Sequence, residues 1–102
     1  MKHLSGEERE DLLITLLRAV QRDEMSEGQL LRTLRKDILD MNQDEYAAPV
    51  KISRRTLSDI ERDAGNPLLP VLKRVFRPLG LNIGLLPRSE SVLERMLRSE
   101  TS

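Results

Sequence analysis

Residues 42–61 read NQDEYAAPVKISRRTLSDIE, and this stretch decides the fold. Asn42 and Ser53 are both good helix caps, because a short side-chain oxygen can accept from the unpaired N–H groups of a first turn. About ten residues lie between them, enough for two turns of helix and a sharp corner. After Ser53, Leu57 and Ile60 stand three apart and share one face, which leaves Arg55, Ser58, Asp59 and Arg62 pointing away from it. The expectation is a short helix over 43–48, a tight turn, and a second helix over 54–62 that begins with Arg54 and Arg55. An arginine-led helix braced from behind by a short capped helix has the shape and charge that a DNA major groove accepts.

Over roughly residues 29–80 the chain resembles the helix-turn-helix of the Cro and phage-repressor class, the XRE family. The residues that carry the resemblance are Asn42-Gln43 opening the first helix, Ala47 at the small-residue position, and Leu57 and Ile60 as inward anchors. The Ile60-Glu61-Arg62 ending and Asn66-Pro67, expected to cap and start a further helix, complete it. Two positions depart from the pattern. Lys51 stands in the turn where the family usually has glycine, and a left-handed backbone there would cost a non-glycine residue about 1 kcal/mol. Pro49 removes a backbone donor, and its ring would meet the carbonyl of Glu45, so the first helix is expected to end near Ala48 and the turn to be reshaped. The resemblance implies a phosphate contact at Gln43. It also implies a basic–acidic pair between Lys36 and Glu61 that bridges the helices, with Arg35 as the competing basic partner.

Composition bounds what else the chain can be. With 102 residues it suggests one domain with short extensions and a small core. Tyr46 and Phe76 are its only aromatic residues, so that core must be aliphatic, and the abundance of leucine favours helix. There is no cysteine, which excludes disulfides, thiolate metal sites and cysteine nucleophiles and accords with a reducing cytoplasm. No apolar run approaches the ~20 residues of a membrane span, and the N-terminus lacks the apolar core of a signal peptide. Net charge is zero, but it is unevenly spread. Residues 1–27 carry four basic and seven acidic side chains, residues 28–88 eleven and seven, and residues 89–102 two and three. The basic centre contains the helix-turn-helix, and the acidic ends temper its attraction for phosphate by like-charge repulsion.

Along the rest of the chain, Ser5 with Glu8 and Ser26 with Gln29 form capping boxes. They open helices expected over 6–22 and 27–39. Leu13, Leu16, Leu17 and Val20 make the stripe of the first, and Leu12 and Ile14 widen it beyond the ~100° that an edge helix needs, suggesting burial on two sides. Leu30, Leu31, Leu34 and Ile38 face inward from the second, and Asp40 takes the turn that follows. A helix over 68–79 buries Val71, Leu72, Val75, Phe76 and Leu79 and is closed by Gly80. Leu81, Ile83 and Leu85 then alternate, a strand signal. A lone strand leaves its backbone unpaired, so its expected partner is the same strand of a second copy, in a ribbon about a two-fold axis. A strand after the last repressor helix resembles the HipB-type antitoxins, a branch of the same family. A short helix over 91–98 with Val92, Leu93, Met96 and Leu97 on one face ends the chain.

The expected fold is therefore all-α: a five-helix repressor-like helix-turn-helix domain over 26–80, an N-terminal helical extension over 1–25, and a dimerisation strand with a short helix over 81–102. Arg55 ranks first for reading bases, since a guanidinium fork matches guanine O6 and N7, and Arg54 can reach base or phosphate. Gln43, Lys51, Ser53 and Thr56 are candidates for positioning contacts to phosphate, Ser58 for base or phosphate, and Arg62 shares their face. Asp59 either accepts from cytosine N4 or, the favoured reading, pairs with Arg55 four residues earlier. Tyr46 is expected in the core with its hydroxyl reaching water. His3 belongs to a frayed terminus, and Glu7, Glu8, Glu10 and Asp11 suit the start of a helix dipole better than a metal ion. No nucleophile–base constellation is present, so the chain is not expected to be an enzyme, and no cofactor or metal is implied. The function expected is transcriptional repression in the cytoplasm, at the nucleoid, by a homodimer on a palindromic double-stranded operator. The alternative is an antitoxin that also neutralises a toxin protein.

Overall fold

The computed structural model describes residues 4–99, and His3 lies outside them. Those residues form six α-helices: α1 Gly6–Gln21, α2 Glu27–Thr33, α3 Gln43–Ala47, α4 Arg54–Glu61, α5 Leu69–Phe76 and α6 Glu90–Ser99. Local chemistry sets most of their starts. Ser5, Ser26 and Asn42 each accept from the N–H three residues on, while Glu8, Gln29 and Glu45 reach back to the N–H of the cap. Hydrogen bonds from the Ser5 N–H and hydroxyl hold the Glu8 carboxyl below the usual carboxylate range. Ser53 caps α4 alone, through the Thr56 N–H at 3.0 Å.

Leu31, Leu57 and Val75 are fully buried, and Leu34 nearly so, on α2, α4, α5 and the turn after α2. Leu30, Tyr46, Ala47, Val50, Ile60 and Phe76 complete the cluster, and Leu16 joins it from α1. Leu12, Leu13, Leu17 and Val20 are half-buried against the same cluster, while Ile14 is exposed, so α1 buries one side and leaves the other open. No helix among the described residues is long and apolar enough to cross a membrane.

The helix expected over 27–39 changes character midway. At Thr33 it passes into a π-helical turn, Leu34–Ile38, with the Leu39 N–H donating to the carbonyl of Leu34. Closing a turn over five residues instead of four inserts one extra residue before Asp40. Asp40 then takes the left-handed corner, with φ +52°. The first helix of the pair ends at Ala47, as Pro49 requires, and Lys51 adopts the left-handed φ of +60° usually reserved for glycine. Asn66-Pro67 does not start the next helix. Both lie in a loop, and Pro70 supplies the N-terminal proline of α5, where a missing N–H is no loss. A 3-10 turn, Arg77–Leu79, leads to left-handed Gly80 at φ +78°.

The strand and intersubunit ribbon expected from Leu81, Ile83 and Leu85 are not found, and there is no strand among the described residues. Residues 81–87 are an extended strap instead. Leu81 and Ile83 pack on the core while Asn82 and Gly84 face water, so the alternation records a one-sided lie against helices, not a sheet. Leu85 is 101 % exposed and takes no part.

Candidate nucleic-acid interface

The candidate site is built around α4. Leu57 and Ile60 anchor it to the core, and α2 and α3 pack against it, so the opposite face is held outward. On that face Arg54, Arg55 and Arg62 are exposed, and Thr56, Ser58 and Asp59 are half-buried. Ser53 and Lys51 lie exposed at its entry. Of the expected contacts, Gln43, Arg54, Ser58 and Arg62 line one open basin, Arg55 and Asp59 share the outer face of α4 with Arg62, and Lys51, Ser53 and Thr56 lie at the entry to that helix.

What fixes that surface is a buried ion pair. Arg35, from the π turn, meets Glu61 at the end of α4 in a two-pronged contact, Nε to Oε2 at 2.6 Å and Nη2 to Oε1 at 2.9 Å. Its Nη1 also donates to the Met41 carbonyl at 2.7 Å, and Gln43 Nε2 donates to Glu61 Oε1 at 3.1 Å. One carboxylate therefore ties together the π turn, the start of α3 and the end of α4. Lys36, the residue first expected to pair with Glu61, is exposed. Helical spacing explains this: Arg35 stands four residues after buried Leu31 and takes the inward place, whereas Lys36 stands four after exposed Arg32. Loss of Glu61 alone would leave the Arg35 guanidinium buried without its counter-charge, at a cost on the order of 3 kcal/mol.

The surface charges are sorted by local pairs. Arg62 Nη2 lies 2.5 Å from Asp59 Oδ1, so Asp59 pairs three residues forward and not with Arg55 as expected. In helical projection both partners are within reach, and Arg62 closes the shorter link because the helix ends there. Arg54 makes a loose contact with Asp44 at 3.6 Å, and its Nε donates to Gln43 Oε1 at 3.5 Å. Gln43 is consequently engaged on both sides of its amide. Arg55 has no ion pair or hydrogen bond among the described residues, which leaves its fork available.

Three supports were not legible from neighbouring residues. Tyr46 does not send its hydroxyl to water. It is buried and donates to the Val75 carbonyl at 2.5 Å. Burial, and secondarily the negative charge of Glu61, push its pKa up to about 12. Arg74 on α5 donates to the carbonyls of Val50 and Lys51 at 2.8 and 3.3 Å, satisfying the turn that Lys51 strains. Asp63, left-handed after α4, accepts from Ser26 Oγ at 2.5 Å and from the Gly28 N–H at 3.0 Å, pinning the end of α4 to the start of α2. Their only sequence signals were a polar residue beside a buried stripe and an aspartate in a turn, neither of which names a partner.

Comparison with known proteins places this geometry. An immunity repressor protein of Bacillus phage phi105 is 33 % identical over 70 residues, covering 69 % of this chain and 48 % of the relative. The chain thus spans about half the length of that curated relative. No solved structure matches the chain. Neither of the matches found singles out the HipB-type branch. The helix-turn-helix family profile matches residues 31–86, which include α3, the turn, α4 and α5, and the chain belongs to the helix-turn-helix family.

Proposed function

We propose that the chain is a sequence-specific DNA-binding repressor that acts as a homodimer on a palindromic operator, in the cytoplasm and at the nucleoid, with no catalytic role. The observation that carries the reading is α4: an amphipathic rod clamped by Glu61 at one end, with Arg55 uncommitted on its outer face. The repressor role is supported by the phage relative, whose name says that it represses. Arg55 reads base edges, Arg54 contacts base or phosphate, and Lys51, Ser53, Thr56 and Gln43 set the register on the backbone. The dimer is supported by the size of the reader. Eight residues of helix extend about 12 Å, which serves one groove, and a palindrome offers a second groove about 34 Å away.

The test is an operator selected from a random duplex pool, followed by mobility-shift titration. Arg55→Ala should weaken binding to that operator by about 1–3 kcal/mol and relax the preference at one position, with the helical content unchanged. Equal affinity of both proteins for the operator would remove Arg55 from the reading surface.

A further inference from the structure

Between the π turn and the front of α3 and α4 lies an open basin of about 570 Å³, lined by Arg32, Arg35, Lys36, Gln43, Arg54 and Arg62 among others. Most of the charge in it is already matched. Arg35 is held by Glu61, Arg54 by Asp44, and Arg62 by Asp59. Arg32 and Lys36 are exposed and have no ion pair or hydrogen bond among the described residues. They stand four apart on α2 and the π turn. On their other flank Glu24 and Asp37 line a shallower depression, and neither pairs with them. The basin therefore keeps two uncompensated cations, beside the reading helix and outside the α3–α4 surface described above.

We propose that Arg32 and Lys36 form a second seat for the DNA backbone, taking phosphates that flank the base pairs read by α4. Helical spacing makes the seat. Arg35 follows buried Leu31 by four residues and turns inward to Glu61, whereas Lys36 follows exposed Arg32 by four and lines the basin with it. This inference rests on the DNA-binding reading, and its content is an extension of the footprint onto α2. Phosphate contacts of this kind add affinity without sequence preference and release bound counterions.

The experiment uses the full chain and a mixed-sequence duplex of about 30 base pairs, long enough for two grooves a turn apart. Binding is followed by fluorescence anisotropy over a series of salt concentrations. Arg32→Gln with Lys36→Gln should flatten the dependence of log affinity on log salt by about 1.8 for each protomer bound, about 3.6 for the dimer, at about 0.9 for each phosphate lost. The charge-preserving Arg32→Lys with Lys36→Arg should restore the slope. Arg18→Gln, on α1, should leave it nearly as in the parent. An unchanged slope in the double glutamine variant overturns the seat while leaving the DNA-binding reading intact. Failure of the parent protein to bind any duplex overturns that reading itself. If the charge-preserving variant is as flat as the glutamine variant, the two positions act through structure and the seat is likewise rejected.

Discussion

Tyr46 is the chain's only tyrosine, and there is no tryptophan, so its ionisation can be followed in isolation by ultraviolet absorbance. Its hydroxyl is buried against the Val75 carbonyl, and removing water from around the phenolate raises the pKa from 10.0 to about 12. The sign follows from linkage: the folded chain binds this proton more tightly than the unfolded chain does. The stabilisation is therefore complete below pH 10 and is lost as pH rises through about 12. The native titration should have its midpoint near 12 and the urea-unfolded one near 10, and Tyr46→Phe should abolish this part of the alkaline destabilisation. A native midpoint near 10 would mean a solvated hydroxyl. At this scale the caps were legible in the sequence because each bond spans three residues, as from Ser53 to Thr56. The partners of Tyr46 and Asp63 were not, because they lie 29 and 35–37 residues away. Arg35 and Lys36 are neighbours of like charge, and helical spacing decides which one faces Glu61, since Arg35 follows buried Leu31 by four residues and Lys36 follows exposed Arg32 by four.

Two elements carry opposite tests of backbone freedom. The corner between α3 and α4 is closed by Lys51 at φ +60°, with the Lys51 N–H donating to the Ala48 carbonyl. Its side chain is exposed, so Lys51→Gly should stabilise the chain by about 1 kcal/mol in urea denaturation by relieving the left-handed strain. It should also remove one phosphate contact if the reading of Lys51 holds. Gly28 is the reverse case. A Cβ there would lie 2.4 Å from the Ile60 carbonyl and 2.8 Å from that of Glu61, both fixed backbone atoms. Gly28→Ala should therefore force α2 and α4 apart and destabilise by about 1–3 kcal/mol. Equal stability of Gly28→Ala and the parent would refute this close approach of α2 to the end of α4. The helix pair was legible because Leu57, Ile60 and Ser53 state its period and its start. The π turn was not, since Leu34 and Ile38 suit an α-helix equally well, and the strap over 81–87 was misread because alternation reports one buried side and not what covers it.

At the scale of the molecule, α1 to α5 share one core, to which α6 contributes no residue. Val92 and Leu97 are exposed on α6, Leu93 is only half-buried, and Leu85 and Leu86 are exposed on the strap that leads to it. A ten-residue helix is marginal in water without a packed face, so this apolar surface calls for a cover. Under the proposed homodimer a second copy is that cover, since two reading helices bound together gain about 10²- to 10⁴-fold over one by avidity. The expectation is that Val92→Glu with Leu97→Glu converts a dimer to a monomer in analytical ultracentrifugation. Operator affinity should fall by a factor in that range, while binding to an isolated half-site stays near that of the parent, because α4 and the Arg35–Glu61 clamp are untouched. An unaltered dimer in the variant would move the interface to the exposed side of α1 around Ile14. A parent protein that sediments as a monomer at every concentration and still binds its operator as a single copy would overturn the two-fold arrangement altogether.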